Sequence, residues 1–304
     1  MKNGFLLDHY RIDKPFSRKG GTASVYLAHL DDDRSKVFAI KISKSVAESA
    51  TNEGNLLQRE AEFLSKWNWR HPSIVRIYPI PLKNRNPEYV VRSTQLSNMP
   101  WYIVMEYLQG GTLEENLAVI QKFPLMWKLE LFYQILLPIA FLHEKGYAHR
   151  DLKPGNIVFR NPISPSNVAE PVLIDFALAD NGNDENRIIV GQSHTLEYAS
   201  PERILRSMGV DDAPVDNILS ADIWSLGLIL YEILTGDNLL KGSRENIRTT
   251  IIREQIAPTL PIPDERGEIL AAFIRVMLNK KPEKRPSINQ IIYALEEKVL
   301  LPFN

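Results

Sequence analysis

The chain has 304 residues, 44% of them apolar and 24% charged, which is enough for one large domain or two modest lobes around a buried core. Its 36 Lys and Arg against 37 Asp and Glu leave a formal net charge of −1, so no global basic field exists to drive binding to nucleic acid or an anionic membrane. Cysteine is absent, which rules out disulfides, cysteine metal sites and thiol catalysis and fits a reducing, cytoplasmic setting.

Residues 1–11 carry Lys2, Asp8 and Arg11 and no long apolar run, so they do not read as a signal peptide. Residues 24–30 and 36–43 (KVFAIKIS) alternate apolar and polar side chains, as half-buried strands do, with the Asp-rich stretch 31–35 as the turn between them. Glu53–Trp67 follows a helical period, with Leu56, Leu57, Ala61 and Leu64 on one side. Strand-like runs return at 74–80 and 101–107. Between them, 83–100 is polar, punctuated by Pro87 and Pro100, and reads as a long hairpin insertion.

The glycine-containing stretch 109–112 marks a hinge, after which the pattern is mostly helical: Leu113–Ile120, then 125–145, 221–234, 243–256, 267–279 and 287–299. Pro138 falls inside the second of these and is expected to kink it or be taken up by a bulge. Residues 160–171 and 206–220 read as surface loops. The greasiest stretches, 125–142 and 223–234, are interrupted by Lys128, Glu130, Gln134 and Glu232, and so read as buried helices rather than membrane spans. The expected class is α+β: a small strand-rich lobe with one main helix over residues 1–108, a larger helical lobe over 109–304, and a cleft between the halves.

The chemistry concentrates in H-R-D-L-K-P-G-N at residues 149–156, and in Asp175 of L-I-D-F-A nineteen residues beyond Asn156. Phosphoryl transfer from ATP needs a divalent cation to neutralise the phosphates, a carboxylate to orient the attacking hydroxyl, and a cation on the transferred group. Asp151 can accept the substrate proton, Lys153 can reach the γ-phosphate, and Asn156 and Asp175 offer hard oxygen ligands suited to Mg²⁺.

With these residues the chain resembles the eukaryotic-type (Hanks-type) serine/threonine protein kinase family over nearly its whole length, its motifs falling in the family's order. The resemblance implies a bilobal kinase fold over 1–304, with a small antiparallel sheet and one main helix in the N-lobe and a mostly helical C-lobe. It also implies ATP with Mg²⁺ (Mn²⁺ as the alternative), protein substrates, and a transient homodimer for trans-autophosphorylation. Within V-F-A-I-K, Lys41 matches the lysine that holds the α- and β-phosphates. Glu60 in Q-R-E-A-E-F-L matches its helix partner, ahead of Glu62. In W-Y-I-V-M-E-Y-L-Q-G-G-T-L, Met105 matches the gatekeeper, and the backbones of Glu106 and Leu108 would bond adenine. Val25 and Ala39 would form the roof over adenine and Val158 the floor. S-P-E at residues 200–202 resembles A-P-E, with Arg285 placed to pair with Glu202, and Asp222 in A-D-I-W-S-L-G is placed to brace the catalytic loop.

Three departures stand out. The glycine-rich loop keeps Gly20, beside Gly21, but has Arg18 and Ala23 at the outer glycine positions. Ala177 replaces the glycine of D-F-G, so its backbone disfavours positive φ, with consequences for regulation more than for chemistry. His194 precedes Thr195, which resembles the threonine that bonds the catalytic aspartate and lysine. With Lys153, that threonine favours serine/threonine over tyrosine specificity. Arg150 is where the family often receives an activation-loop phosphate; Ser193 is the better phosphosite candidate here, the alternatives being Asp184 or Glu185 as a standing charge, or no role for loop phosphorylation. The G-G-T-x-S-V-Y-L-A form of the first motif looks more like bacterial members. Two other functions compete: a nucleotide-binding pseudokinase acting as a scaffold, drawing on Arg18, Ala23 and Ala177, and a small-molecule phosphotransferase, against which Thr195 and the S-P-E segment argue.

Overall fold

A computed structural model describes residues 4–17, 23–44, 53–96, 98–182, 196–210 and 217–297. The chain divides into two compact units, Met1–Gln109 with Ile174–Leu178, and Gly110–Leu173 with Ala179–Asn304.

The first unit is built on a seven-stranded sheet of β1 (Phe5–Leu7), β2 (Tyr10–Ser17), β3 (Ala23–Leu30), β4 (Val37–Ser43), β5 (Ile77–Tyr78), β8 (Val91–Arg92) and β9 (Trp101–Glu106). Strand order is β1-β2-β3-β4-β9-β5, with β8 also on β9, and every pairing is antiparallel. Side-chain alternation sorts the two faces. Ile40 and Ile42 of β4 join Tyr102 and Val104 of β9 in a buried cluster with Leu7, Tyr10, Ile12, Ala28 and Ile80. The intervening Ala39, Lys41, Ile103 and Met105 take the other face, where α1 (Glu53–Trp67) packs on β4, β5 and β9 and buries Leu57, Ala61 and Leu64.

Helix α1 keeps the predicted bounds, but the strands on either side refine the sequence reading. The run 74–80 is not one strand. Pro79 has no N–H to give a ladder, and the chain splits there into β5 and β6 (Ile80–Leu82). The insertion hairpin pairs β6 with β7 (Arg85–Glu88), turning at Asn84 with φ 59°, while β8 returns to β9. Strands β1 and β2 were not foreseen: one is three residues long, the other contains Pro15 and shifts register twice against β3.

The second unit has α2 (Leu113–Ile120), α3 (Leu125–Glu144), the β10–β11 hairpin (Ile157–Phe159 and Pro171–Leu173), α4 (Pro201–Ser207), α5 (Ile218–Thr235), α6 (Arg244–Arg253), α7 (Glu265–Met277) and α8 (Ile288–Leu295). Starts and stops follow local chemistry. Thr112 with Glu115, and Ser287 with Gln290, form capping boxes; Asn217 caps α5, and Gly236 ends it at φ 79°. Helix α3 runs through Pro138, whose ring is buried. Helices α3 and α5 are long and apolar enough to cross a membrane by composition alone, yet α5 is the core of this unit, packed against α2, α3 and α7 with Trp224 fully buried.

Candidate active site

In the first unit, antiparallel register sets the geometry. Val25 lies opposite Lys41, Leu27 opposite Ala39, and Ala39 and Lys41 opposite Met105 and Ile103, so Val25, Ala39, Lys41 and Met105 share one face. The Lys41 ammonium donates to Glu60 Oε2 at 2.6 Å and to Asp175 Oδ1 at 3.1 Å. Glu62, the weaker match, is exposed. Burial alone would depress the lysine's pKa, but the charges of Asp175 and Glu60 outweigh it and hold the group above its ordinary value. Glu60 is pushed the opposite way to a simple ion pair: burial raises its carboxyl, Lys41 lowers it, and Asp175 raises it further, because two carboxylates share one cation.

Asp175 occupies the left-handed region at φ 64°, which a short polar side chain tolerates better than most. Ala177 is not among the described residues with positive φ, so its Cβ imposes no left-handed strain at this position. Phe176 is buried and stacks on Phe63 of α1 with centroids 5.0 Å apart. Leu108 is buried beyond the end of β9. Glu106 gives its N–H to the Arg76 carbonyl at 3.0 Å and takes the Arg76 N–H on Oε1 at 3.0 Å.

In the second unit, Asp151, Lys153 and Asn156 form one hydrogen-bonded group. Lys153 donates to Asp151 Oδ2 at 2.7 Å, and Asn156 Nδ2 donates to the same oxygen at 2.9 Å and to the Asp151 carbonyl at 2.8 Å. Asn156 is brought back toward Asp151 by a single turn that Pro154 opens. Asp222, at 1% exposure on α5, accepts the N–H of His149 at 2.8 Å, the N–H of Arg150 at 2.9 Å and His143 Nε2 at 3.0 Å. Burial would lift its pKa, but the His143 hydrogen bond and charge, His149 and the Arg150 N–H hold it below the usual carboxylate range. Asp222 is thereby the brace the sequence predicted, and His149 is a packed structural side chain. Val158 is buried in β10, opposite Val172 and bridged to Thr112. Arg285 grips Glu202 through two parallel bonds of 2.7 and 2.8 Å.

Arg18, Gly20, Gly21 and Thr195 lie outside the described residues, as do Ser193, His194, Asp184 and Glu185. Ala23 is the buried first residue of β3. Sequence reasoning missed Asp180, which pairs with Arg150; Arg203, which donates to the Arg150 carbonyl; and His143. Asp180 follows Asp175 by five residues, and that proximity to a motif was the one available signal.

The chain belongs to the protein kinase family: residues 19–294 match the protein kinase domain. Among its relatives it is 30% identical over 280 residues to the serine/threonine-protein kinase AtPK1/AtPK6 of Arabidopsis thaliana, covering 92% of this chain and 52% of that protein. It is 30% identical over 276 residues to the serine/threonine-protein kinase PknB of Mycobacterium leprae (88% of this chain, 39% of that protein). It is 28% identical over 286 residues to the human serine/threonine-protein kinase Nek11 (90% and 38%). The chain thus spans about half or less of the length of these relatives.

Proposed function

We infer that the chain is a serine/threonine protein kinase that transfers the γ-phosphate of ATP to protein hydroxyls. The observation that carries this is the Asp151 carboxylate, held by both Lys153 and Asn156 on a loop braced by Asp222. Asp151 takes the hydroxyl's proton and Lys153 offsets charge on the transferred group. Lys41, anchored by Glu60, is the residue for the α- and β-phosphates; by the family resemblance, Val25, Ala39, Met105, Glu106, Leu108 and Val158 are the adenine-site residues and Gly20 and Gly21 those of the glycine-rich phosphate motif. The Asp175 carboxylate, 34% exposed, and the Asn156 amide are hard oxygen donors that fit Mg²⁺, with Mn²⁺ as the alternative. That cation, when bound, neutralises phosphate charge. Thr195 and Lys153 support serine and threonine as acceptors, and the cysteine-free composition supports a cytoplasmic setting.

Radiolabelled ATP transfer by the wild type and by Asp151→Asn tests the reading. The variant should lose about 10²–10⁴-fold in kcat while still binding nucleotide in a thermal-shift assay. A wild type that binds nucleotide but labels neither itself nor a generic substrate, with Mg²⁺ or Mn²⁺, would support the scaffold reading instead.

A further inference from the structure

Arg150, immediately before Asp151, lies at φ 66°, a region that a residue with a Cβ disfavours. Such a backbone persists where its surroundings over-determine it. Three contacts within the second unit do so. The Arg150 N–H donates to Asp222 Oδ1, its carbonyl accepts from Arg203 Nη1, and its guanidinium donates through Nη1 to Asp180 Oδ2 at 2.8 Å. The first two hold the peptide. The third holds the side chain, in a pair whose side chains are 10% and 3% exposed.

Asp180 is itself tied down. Its N–H donates to the Ala148 carbonyl at 3.1 Å, its own carbonyl accepts the Ala148 N–H at 2.8 Å, and its Oδ1 accepts the Gly182 N–H at 2.9 Å. One residue thus joins the segment after Leu178 to the catalytic loop by two backbone bonds and one buried ion pair. Removing the carboxylate would take a buried counter-charge 2.8 Å from the guanidinium and weaken the hold on that side chain. The left-handed residue that presents Asp151 would then lose one of the restraints described above.

We propose that Asp180 is a positioning residue for phosphoryl transfer: through Arg150 it holds the turn that aims the Asp151 carboxylate. The inference rests on the reading of Asp151 as the base. The counter-charge of Arg150 is encoded in the chain, so a phosphate at Ser193 is not required to supply it.

The test combines steady-state kinetics with amide hydrogen exchange across residues 147–153 for wild type, Asp180→Ala, Asp180→Asn, Asp180→Glu and Ser193→Ala. Asp180→Ala should lower kcat about 10- to 100-fold, with KM for ATP within about twofold, and speed exchange at residues 149–151. Asp180→Asn should fall between it and wild type, Asp180→Glu should restore most of both readouts, and Ser193→Ala should leave kcat unchanged. Wild-type exchange at 149–151 in Asp180→Ala overturns the proposal whatever the activity. If that variant loses protection throughout the chain, Asp180→Asn decides: wild-type kcat and exchange there overturn it equally. A loss of kcat in Ser193→Ala overturns the encoded counter-charge. An inert wild type defeats the kinase reading alone, and the exchange data still decide whether Asp180 holds the turn.

Discussion

The Lys41 ammonium lies 2.6 Å from Glu60 Oε2, and the two side chains are only 12% and 1% exposed. Glu60 fixes where the lysine's charge sits, and Asp175 shares it at 3.1 Å. Replacing Glu60 with Gln keeps the shape but removes the charge that holds the ammonium. Because burial already pushes the Glu60 carboxyl toward its neutral form, the fold should tolerate the change. The expected result is a fall of about 10- to 100-fold in kcat/KM for ATP, with a melting temperature within a few degrees of wild type. Kinetics with ATP varied, paired with a thermal melt, check this; an unchanged kcat/KM would remove Glu60 from the site.

Arg285 and Glu202 form a pair with no side-chain exposure, and the guanidinium also donates to the carbonyls of Asn279 at 2.7 Å and Ser220 at 3.0 Å. Truncating one partner strands the other charge. Arg285→Ala should therefore cost about 3–5 kcal/mol of stability. The double change Arg285→Met with Glu202→Leu should recover part of that loss, but not all, since the two carbonyls still lose their donor. Denaturant unfolding of both proteins measures the difference. If the double variant is no more stable than the single, the stranded carboxylate is not the source of the cost.

Much of this arrangement was legible because it depends on short-range pattern. Period-2 alternation placed Lys41 on a strand, period 3.6 gave α1 its bounds, and the order of short motifs picked out Asp151, Asn156 and Asp175. What stayed hidden depends on pairing across the chain. β1 and β2 find their register only against β3, and Pro15 masks the alternation of β2. The Asp180–Arg150 and His143–Asp222 contacts join residues 30 and 79 positions apart, with no spacing rule linking them. The split at Pro79 was readable, since proline cannot donate to a ladder, but the apolar residues around it read as one run.

Glu232 of α5 is 3% exposed and faces no cation among its described hydrogen bonds: its Oε1 accepts the Tyr198 hydroxyl at 2.6 Å and Asn238 Nδ2 at 2.8 Å. Burial raises its pKa from the ordinary 4.5 to about 7; the Tyr198 hydrogen bond opposes the shift, and the charges of Glu114 and Asp237 add to it. The folded state therefore holds this proton more tightly than the unfolded chain. Between about pH 4.5 and 7 the folded protein carries the extra proton, so the group's contribution is fully present below that window and is lost as pH rises through it. Glu232→Gln cannot titrate but keeps an oxygen for Tyr198 and Asn238. It should match wild type at low pH and exceed it at pH ~8 by on the order of 2–3 kcal/mol. Urea unfolding at a series of pH values tests this. Stability curves that run parallel for the two proteins would mean that Glu232 stays ionised in the fold, with its charge carried by the Tyr198 and Asn238 donors alone.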